Sequence, residues 1–315
     1  MFIVHHRKIF FAFSALVIGA SLAFVVAFGL KPSIDFTGGS ALELSYPEDR
    51  PNQTEIETVL APLSLGNFTV RHIGEQGVLI KTTTIDNDTK ESIKALLSNN
   101  GVVSVTEERF NTVGPTLGKE LVIKSVLAII MILVAVTLYL AYVFRHVSKP
   151  VSSWKYGITT IIALAHDLIV MVGVFALLGF LAGTEVDTLF ITAILVVLGY
   201  SVNDSVVVLD RIRENLSLVP EEEREQKFAE TVGKSLRETM GRSINTSLTT
   251  LLGLVALAIF GAEATRDFAI ALIVGVVTGA YSSIFIGSTL LVSFFERQKL
   301  QAAKQPKELT PAKSA

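Results

Sequence analysis

Asn203, Asp204 and Asp210 sit in the run GYSVNDSVVVLDRIREN, residues 199–215, whose remaining members are mostly apolar. An ionised Asp at the centre of a spanning helix costs about 2.5–3.5 kcal/mol on insertion scales, so such a carboxylate usually faces a bundle interior or a water path and has a function. Seven residues are close to two helical turns, which stacks Asn203 under Asp210 on one stripe and Asp204 with Arg211 on the next. A polar seam with titratable groups is what coupling to a transmembrane gradient requires. The electrical part of such a gradient supplies about 2.3 kcal/mol per charge per 100 mV.

Other residues of the apolar stretches can join this chemistry. Arg242 lies where a later stretch begins, and its long side chain can snorkel toward Asp204 or Asp210, or anchor at the interface. Asp210 can pair with Arg213 one turn on, or with Arg242. ALAHD places His166 and Asp167 near a span midpoint, where they either relay protons, since His titrates near neutral pH, or join helices by hydrogen bonds. Ser243, Thr246 or Ser247, and Thr250 share a face that lines a hydrated path or ties helices together.

Several chemistries are excluded. There are no cysteines and five scattered histidines, so no thiolate chemistry and no metal-ligand spacing is present, and no cofactor is expected. The segment 114–120, GPTLGKE, has one residue too few between its glycines for a phosphate loop, and Glu120 stands where Ser or Thr would hold magnesium. ATP is not handled here. A net charge of −2 gives no basic field for nucleic acid.

These residues need a membrane scaffold to position them. Half of the chain is hydrophobic, 18% is charged and the mean hydropathy is strongly positive, the composition of an integral membrane protein. Six stretches can cross a bilayer that needs about twenty residues each: 9–30, 121–144, 157–181, 187–209, 246–261 and 268–295. The first has no small-residue cleavage site and reads as a retained anchor. Arg7, Lys8, Arg145, Lys149, Lys155, Arg297 and Lys299 fall on one side of these spans, so the positive-inside rule puts both termini in the cytoplasm. Gly275, Gly279, Ser283 and Gly287, and Ala15, Gly19, Ala23 and Ala27, form small-residue ladders for close helix approach, within the bundle or against another subunit.

The segment 31–120 is then an extracytoplasmic domain. Alternation predicts strands at 41–46, 68–73, 78–85 and 102–110, and helical spacing predicts helices at 54–65 and 90–97, the second capped by Asn87 or Asp88 and closed by Gly101. The order is βαββαβ, that of a ferredoxin-like plait, and it names no activity by itself. On the inner side, 211–243 reads as a cytoplasmic loop, with the acidic run 221–225 as a solvated helix start after Pro220 or a docking site. The domains are therefore 1–30 with the first span, 31–120 outside, the bundle 121–295, and a polar tail 296–315 expected to be disordered.

With those residues in view, the chain resembles the SecF family of bacterial protein-export subunits, within the RND-related SecD/SecF group. The resemblance rests on Asp35-Phe36-Thr37-Gly38-Gly39 after the first span, Val113-Gly114-Pro115 before the second, ALAHD, GYSVNDSVVVLDRIREN and Gly241-Arg242-Ser243-Ile244-Asn245-Thr246-Ser247, in family order over nearly the whole chain except its tail. It implies a multi-pass protein of the bacterial inner membrane that is not an enzyme. It also implies that the chain pairs with SecD as twelve spans beside the SecYEG channel, with YajC a further candidate partner. Such a complex uses the proton motive force to finish preprotein translocation after the ATP-dependent step. The family's functional positions fall on Asp204 and Arg242, with Asp210 and the adjacent Asn203 beside them. The segment between Asn215 and Arg242 is longer and more acidic than the family pattern, so no loop contact is carried over.

A mechanism follows as an expectation: Asp204 ionised when paired with Arg242 and neutral when apart, each state selecting one packing of the bundle. Asp35, Gly38 and Gly39 would pass the change outward, as a hinge or as a tight turn. Two rivals stand beside it, a passive scaffold of the export complex and half of a proton-driven small-molecule pump. An outer domain of about ninety residues is small for gathering substrates in a pocket of several hundred Å³.

Overall fold

The computed structural model describes residues 2–47, 50–63, 65–99, 101–143 and 151–304. Within them, six helical stretches are long and apolar enough to cross a membrane. A single turn α1, Phe2–His5, precedes the first span α2, Arg7–Phe28. The others are α6, Pro115–Val143; α7, Ser153–Ala182; α8, Thr188–Ser217; α9, Arg224–Phe260; and α10, Glu263–Ser282, which continues through a π-helical segment, Ser283–Gly287, into α11, Ser288–Lys304. Local chemistry sets the ends. Pro115 opens α6, where its missing N–H costs nothing, and Gly183 closes α7 at φ +69°, the left-handed cap that glycine adopts without strain.

Three expectations change at the inner side. The segment 211–243 is not a loop: α8 runs to Ser217 and α9 begins at Arg224, so only a short connection joins them. Both helices run on through this segment because Leu209, Ile212 and Leu216 form a common core with Phe228, Val232, Leu236 and Phe295. The apparently short fifth span is the outer part of the 37-residue α9. The acidic run is an exposed start after Pro220, as its composition suggests. The chain also stays helical to Lys304, beyond the point where the tail was expected to lose order, while 305–315, Arg145 and Lys149 lie outside the described residues.

The outer segment carries β1, Gly39–Ser45; α4, Gln53–Leu60; β2, Thr69–Ile73; β3, Gly77–Thr82; α5, Asn87–Leu97; and β4, Thr106–Val113. They form one antiparallel sheet in the order β2-β3-β1-β4. Leu42, Leu44, Val70, Val78 and Ile80 from the sheet pack against Ile56, Leu60, Ile93 and Leu97 of the two helices. The last strand begins at Thr106 rather than Val102, with a register shift opposite Glu43 and Leu44, and the cap of α5 is Asp86, which accepts from the Thr89 amide at 2.9 Å, rather than Asn87 or Asp88. A one-turn helix α3, Ile34–Thr37, joins the first span to β1.

In the bundle, α8 contributes an almost continuous buried face, from Phe190 to Leu216. The Gly275 ladder packs within the chain: a Cβ there would lie 2.2 Å from Val197, and one at Gly279 would lie 3.2 Å from Ser201. The first-span ladder does not. Ala15, Gly19, Ala23 and Ala27 are exposed, and α2 instead meets α7 through Ser21, against which a Cβ on Gly173 would come within 2.3 Å. The small residue needed for that approach sits on the opposite helix.

Candidate functional site

Asp204 is 8% exposed and faces the interior of the bundle. Its Oδ1 accepts from Ser243 Oγ of α9 at 2.6 Å and its Oδ2 accepts from Ser283 Oγ, the first residue of the π-helical segment, at 2.7 Å. One carboxylate thus joins three elements. When Asp204 is ionised such bonds are charge-assisted, short and about twice as strong as neutral ones.

A second carboxylate lies beside it. Asp167 is fully buried; its Oδ2 accepts from Ser201 Oγ of α8 at 2.7 Å and from Ser282 Oγ of α10 at 2.8 Å. Its Oδ1 lies 3.1 Å from Nδ1 of His166, which is itself 3% exposed. The two sites share their supports: Ser201 and Asp204 are one turn apart on α8, and Ser282 and Ser283 are consecutive where the last span widens into π geometry. Single π turns within α-helices are frequent at functional sites.

The expected residues divide between two faces. Asn203 and Asp210 do share a stripe, but it is the exposed face of α8, and Asp210 pairs with Arg213 at 3.0 Å. Arg242 does not reach Asp204 here. It is exposed and lines an open cavity of about 340 Å³ with Asp210, Arg211, Glu214 and Glu238. The reason is helical rotation: Ser243 points at Asp204, and the preceding residue is turned about 100° away. Arg211 bonds Glu238 and Glu214, both at 2.6 Å, rather than joining Asp204. Of the hydroxyl face, Ser243 and Ser247 turn inward, the latter 3.4 Å from Tyr200 Oη, while Thr250 donates to its own helix at the Thr246 carbonyl.

Sequence reasoning overlooked Ser201 and Ser282 and counted Ser283 only as a small packing residue. Their signal was present in the adjacent serines of an otherwise apolar helix. Which carboxylate each serine would meet depended on helix rotation and was not readable.

At the outer end, Asp35 Oδ2 accepts from the Thr188 amide at 3.1 Å and its hydroxyl at 2.8 Å, at the start of the helix that carries Asp204. Asp187 caps the same helix through the Phe190 amide at 2.8 Å. Burial pushes the Asp187 carboxyl up from its usual range, a shift that the Phe190 amide opposes and the Asp35 charge adds to. Gly38 and Gly39 have φ of +77° and +130°. Both are tightly enclosed, since a Cβ would lie 2.8 Å from Pro115 Cα and 2.6 Å from the Thr82 carbonyl oxygen respectively.

The sheet domain holds the turn between α7 and α8. Arg71 donates to the Gly183 and Ala182 carbonyls at 2.8 and 3.0 Å, and Lys81 pairs with Glu185. A cation on the last carbonyls of α7 suits the negative end of that helix. Ser33 donates to the Val186 carbonyl at 2.8 Å, and a cleft of about 490 Å³ separates the sheet from the bundle. At the opposite end, Arg7 pairs with Glu296 and Lys155 donates to Gln298 at 2.5 Å, so the chain start, α7 and α11 meet on one side. GPTLGKE forms no phosphate-binding loop: all but its first residue belong to α6.

The family model for the C-terminal domain of the SecD/SecF protein-export membrane proteins matches residues 92–297. The chain is 38% identical over 292 residues to protein translocase subunit SecF of Anaerolinea thermophila, covering 92% of each. It is 37% identical over 313 residues to SecF of Thermobaculum terrenum, covering 95% of each. A crystal structure of SecDF, a translocon-associated membrane protein from Thermus thermophilus, superposes with a TM-score of 0.79 at 32% identity, over 93% of this chain and 38% of that longer one.

Proposed function

The chain belongs to the SecD/SecF family of protein-export membrane proteins, and on that premise we propose that it couples proton flow to the translocation of preproteins. The observation that carries this reading is Asp204: a buried carboxylate in a spanning helix, held by hydroxyls from two other elements. Its protonation state changes which groups it can tie together. An ionised Asp204 accepts from both Ser243 and Ser283, whereas a neutral acid accepts from one and donates to the other. A pairing of Asp204 with Arg242 would favour the ionised form. On this reading the arrangement with Arg242 apart is the protonated one, and arrival of Arg242 with loss of the proton selects the other packing. Asp210 and Asn203, on the outward face beside Arg242, would shape the water or partner surface through which the proton leaves.

The outer unit is read as a ferredoxin-like plait, supported by its βαββαβ order and the sheet order β2-β3-β1-β4. Both termini are placed in the cytoplasm on the charge of the inner ends, in a bacterial inner membrane. The domain divisions at 1–30, 31–120, 121–295 and 296–315 belong to the same reading. SecD is the proposed partner. This is supported by the Thermus thermophilus SecDF relative, of which the chain covers 38%, and by Asn203, an amide on the exposed face of a spanning helix that a second set of helices would cover. SecYEG and the translocating preprotein complete the proposed assembly, with YajC a further candidate. Asp35, Gly38 and Gly39 are proposed to pass movement outward, with α3 and the first turn of α6 moving as one unit because they are close-packed.

The deciding experiment is preprotein translocation in vesicles containing the channel and the SecD partner, with and without an imposed proton gradient. Asp204→Asn is expected to assemble normally and to lose the gradient-stimulated part. Failure to recover the complex would favour the passive scaffold. Stimulation that persists in a well-assembled variant would remove Asp204 from the mechanism.

A further inference from the structure

We infer that Asp167 and His166 form a second proton-binding site, in series with Asp204 and lying on its outer side. This deepens the proton-coupled reading and rests on it for direction. His166 Nε2 is buried and has no hydrogen-bond partner among the described residues, while Nδ1 faces the Asp167 carboxylate. A neutral imidazole that donates from Nδ1 to a carboxylate exposes a lone pair at Nε2. A hydronium ion from the outer side gives its proton to the new N–H bond at Nε2, breaking one of its own O–H bonds and leaving water, and the charge of the pair changes from −1 to 0. Whether the proton on the other side rests on Nδ1 or on Asp167 does not alter that count, so Nε2 is the atom that gains or loses the proton.

The surroundings supply donors to the carboxylate. Asp167 Oδ2 takes two hydroxyl donors, Ser201 and Ser282, which stabilise the ionised carboxylate without neutralising it. The ring of Tyr281 on α10 lies 5.9 Å from the imidazole, and its hydroxyl is engaged by Ser14 Oγ and the Phe10 carbonyl of α2. The titratable groups facing the pair are therefore Tyr281 and, one turn along α8, Asp204. Ser201, which meets Asp167, precedes Asp204 by three residues, about 4.5 Å of helix rise toward the start of α8. The consecutive serines 282 and 283 bond one carboxylate each. Release of either bond by protonation reaches the other through a single peptide unit at the π-helical turn.

The test reads the imidazole directly. The chain, labelled with ¹⁵N-histidine, is assembled with unlabelled SecD partner in lipid vesicles, and the His166 signal is assigned by its loss in His166→Gln. Spectra are taken over about two pH units on either side of the ordinary histidine value near 6.5, and in the wild type Nε2 is expected to gain a proton on acidification. In Asp204→Asn the midpoint is expected to move, and in Ser282→Ala to move upward, because the carboxylate has lost a donor to its charged form. A His166 that keeps one protonation state through that range, or a midpoint indifferent to both substitutions, overturns the proposal. The wild-type measurement needs no variant to fold. If Asp204→Asn loses gradient stimulation while His166 does not titrate, the export reading stands and this site falls. If His166 titrates and responds to Ser282→Ala while Asp204→Asn keeps full stimulation, Asp167 and His166 bind a proton, their series with Asp204 falls, and Asp204 leaves the mechanism.

Discussion

A buried carboxylate is held by the donors it can find, and in this bundle those donors are serines rather than the arginine the sequence suggested. Removing one donor leaves an oxygen desolvated and unpaired, at a cost of about 1–3 kcal/mol. Ser283→Ala is accordingly expected to lower thermal stability in detergent when Asp204 is ionised. Ser293→Ala, whose hydroxyl bonds only its own helix at the Thr289 carbonyl, should stay within about 0.5 kcal/mol of wild type. Equal effects of the two would mean that the Asp204–Ser283 bond contributes nothing. Asp204, His166 and Asp167 were all legible as candidates, since Asp and His in an apolar run are conspicuous by type alone. The bonds they make were not, because a hydroxyl has no signature that distinguishes a carboxylate partner from its own helix backbone.

The two small-residue ladders look alike as strings and behave differently as elements. Gly275 faces Val197 so closely that even a methyl group has no room, and Gly275→Ala is expected to destabilise the bundle by about 1–3 kcal/mol through overpacking. Gly19 has nothing within 4 Å of where its Cβ would be, and Gly19→Ala should be neutral or slightly stabilising, since glycine inside a helix costs about 0.5–1 kcal/mol relative to alanine. Thermal unfolding of the two variants checks the contrast. A similar loss in both would mean that the first-span ladder is also covered, by another subunit. Element ends were harder to read than element types. The inner loop became two helix extensions because its apolar residues at helical spacing found partners on Phe295 and on each other, which composition did not reveal.

For the whole molecule, the informative contact is the grip of the outer domain on the turn joining α7 and α8. Those two helices carry Asp167 and Asp204. Arg71 and Lys81 from the sheet, and Asp35 from the connector, all reach residues 182–188. If outer movement is driven by the membrane carboxylates, this turn must yield. Locking it with a reducible thiol crosslinker that spans Lys81→Cys and Glu185→Cys, in a chain that has no cysteine of its own, is expected to abolish gradient-stimulated translocation and to restore it on reduction. Full stimulation in the crosslinked form would show that the sheet domain does its work without leaving the turn. This lock is a cleaner probe than Gly38→Pro, because a φ of +77° cannot be adopted by proline and the substitution would disturb the junction itself.

The membrane class, the six spans, the existence of a βαββαβ unit between the first two of them and the identity of the ionisable residues were determined by sequence, because each rests on local hydropathy, periodicity or residue type. Only the tertiary structure decided that Asp204 meets Ser243 and Ser283 while Arg242 turns to the open cavity beside Asp210, that Asp167 is held by the neighbouring serines 201 and 282, and that the sheet domain rests on the α7–α8 turn. Each of these depends on how far one helix is rotated about its axis against its neighbours. That rotation is set jointly by packing at places such as Gly275 against Val197 and Gly173 against Ser21, which no single stretch of chain contains.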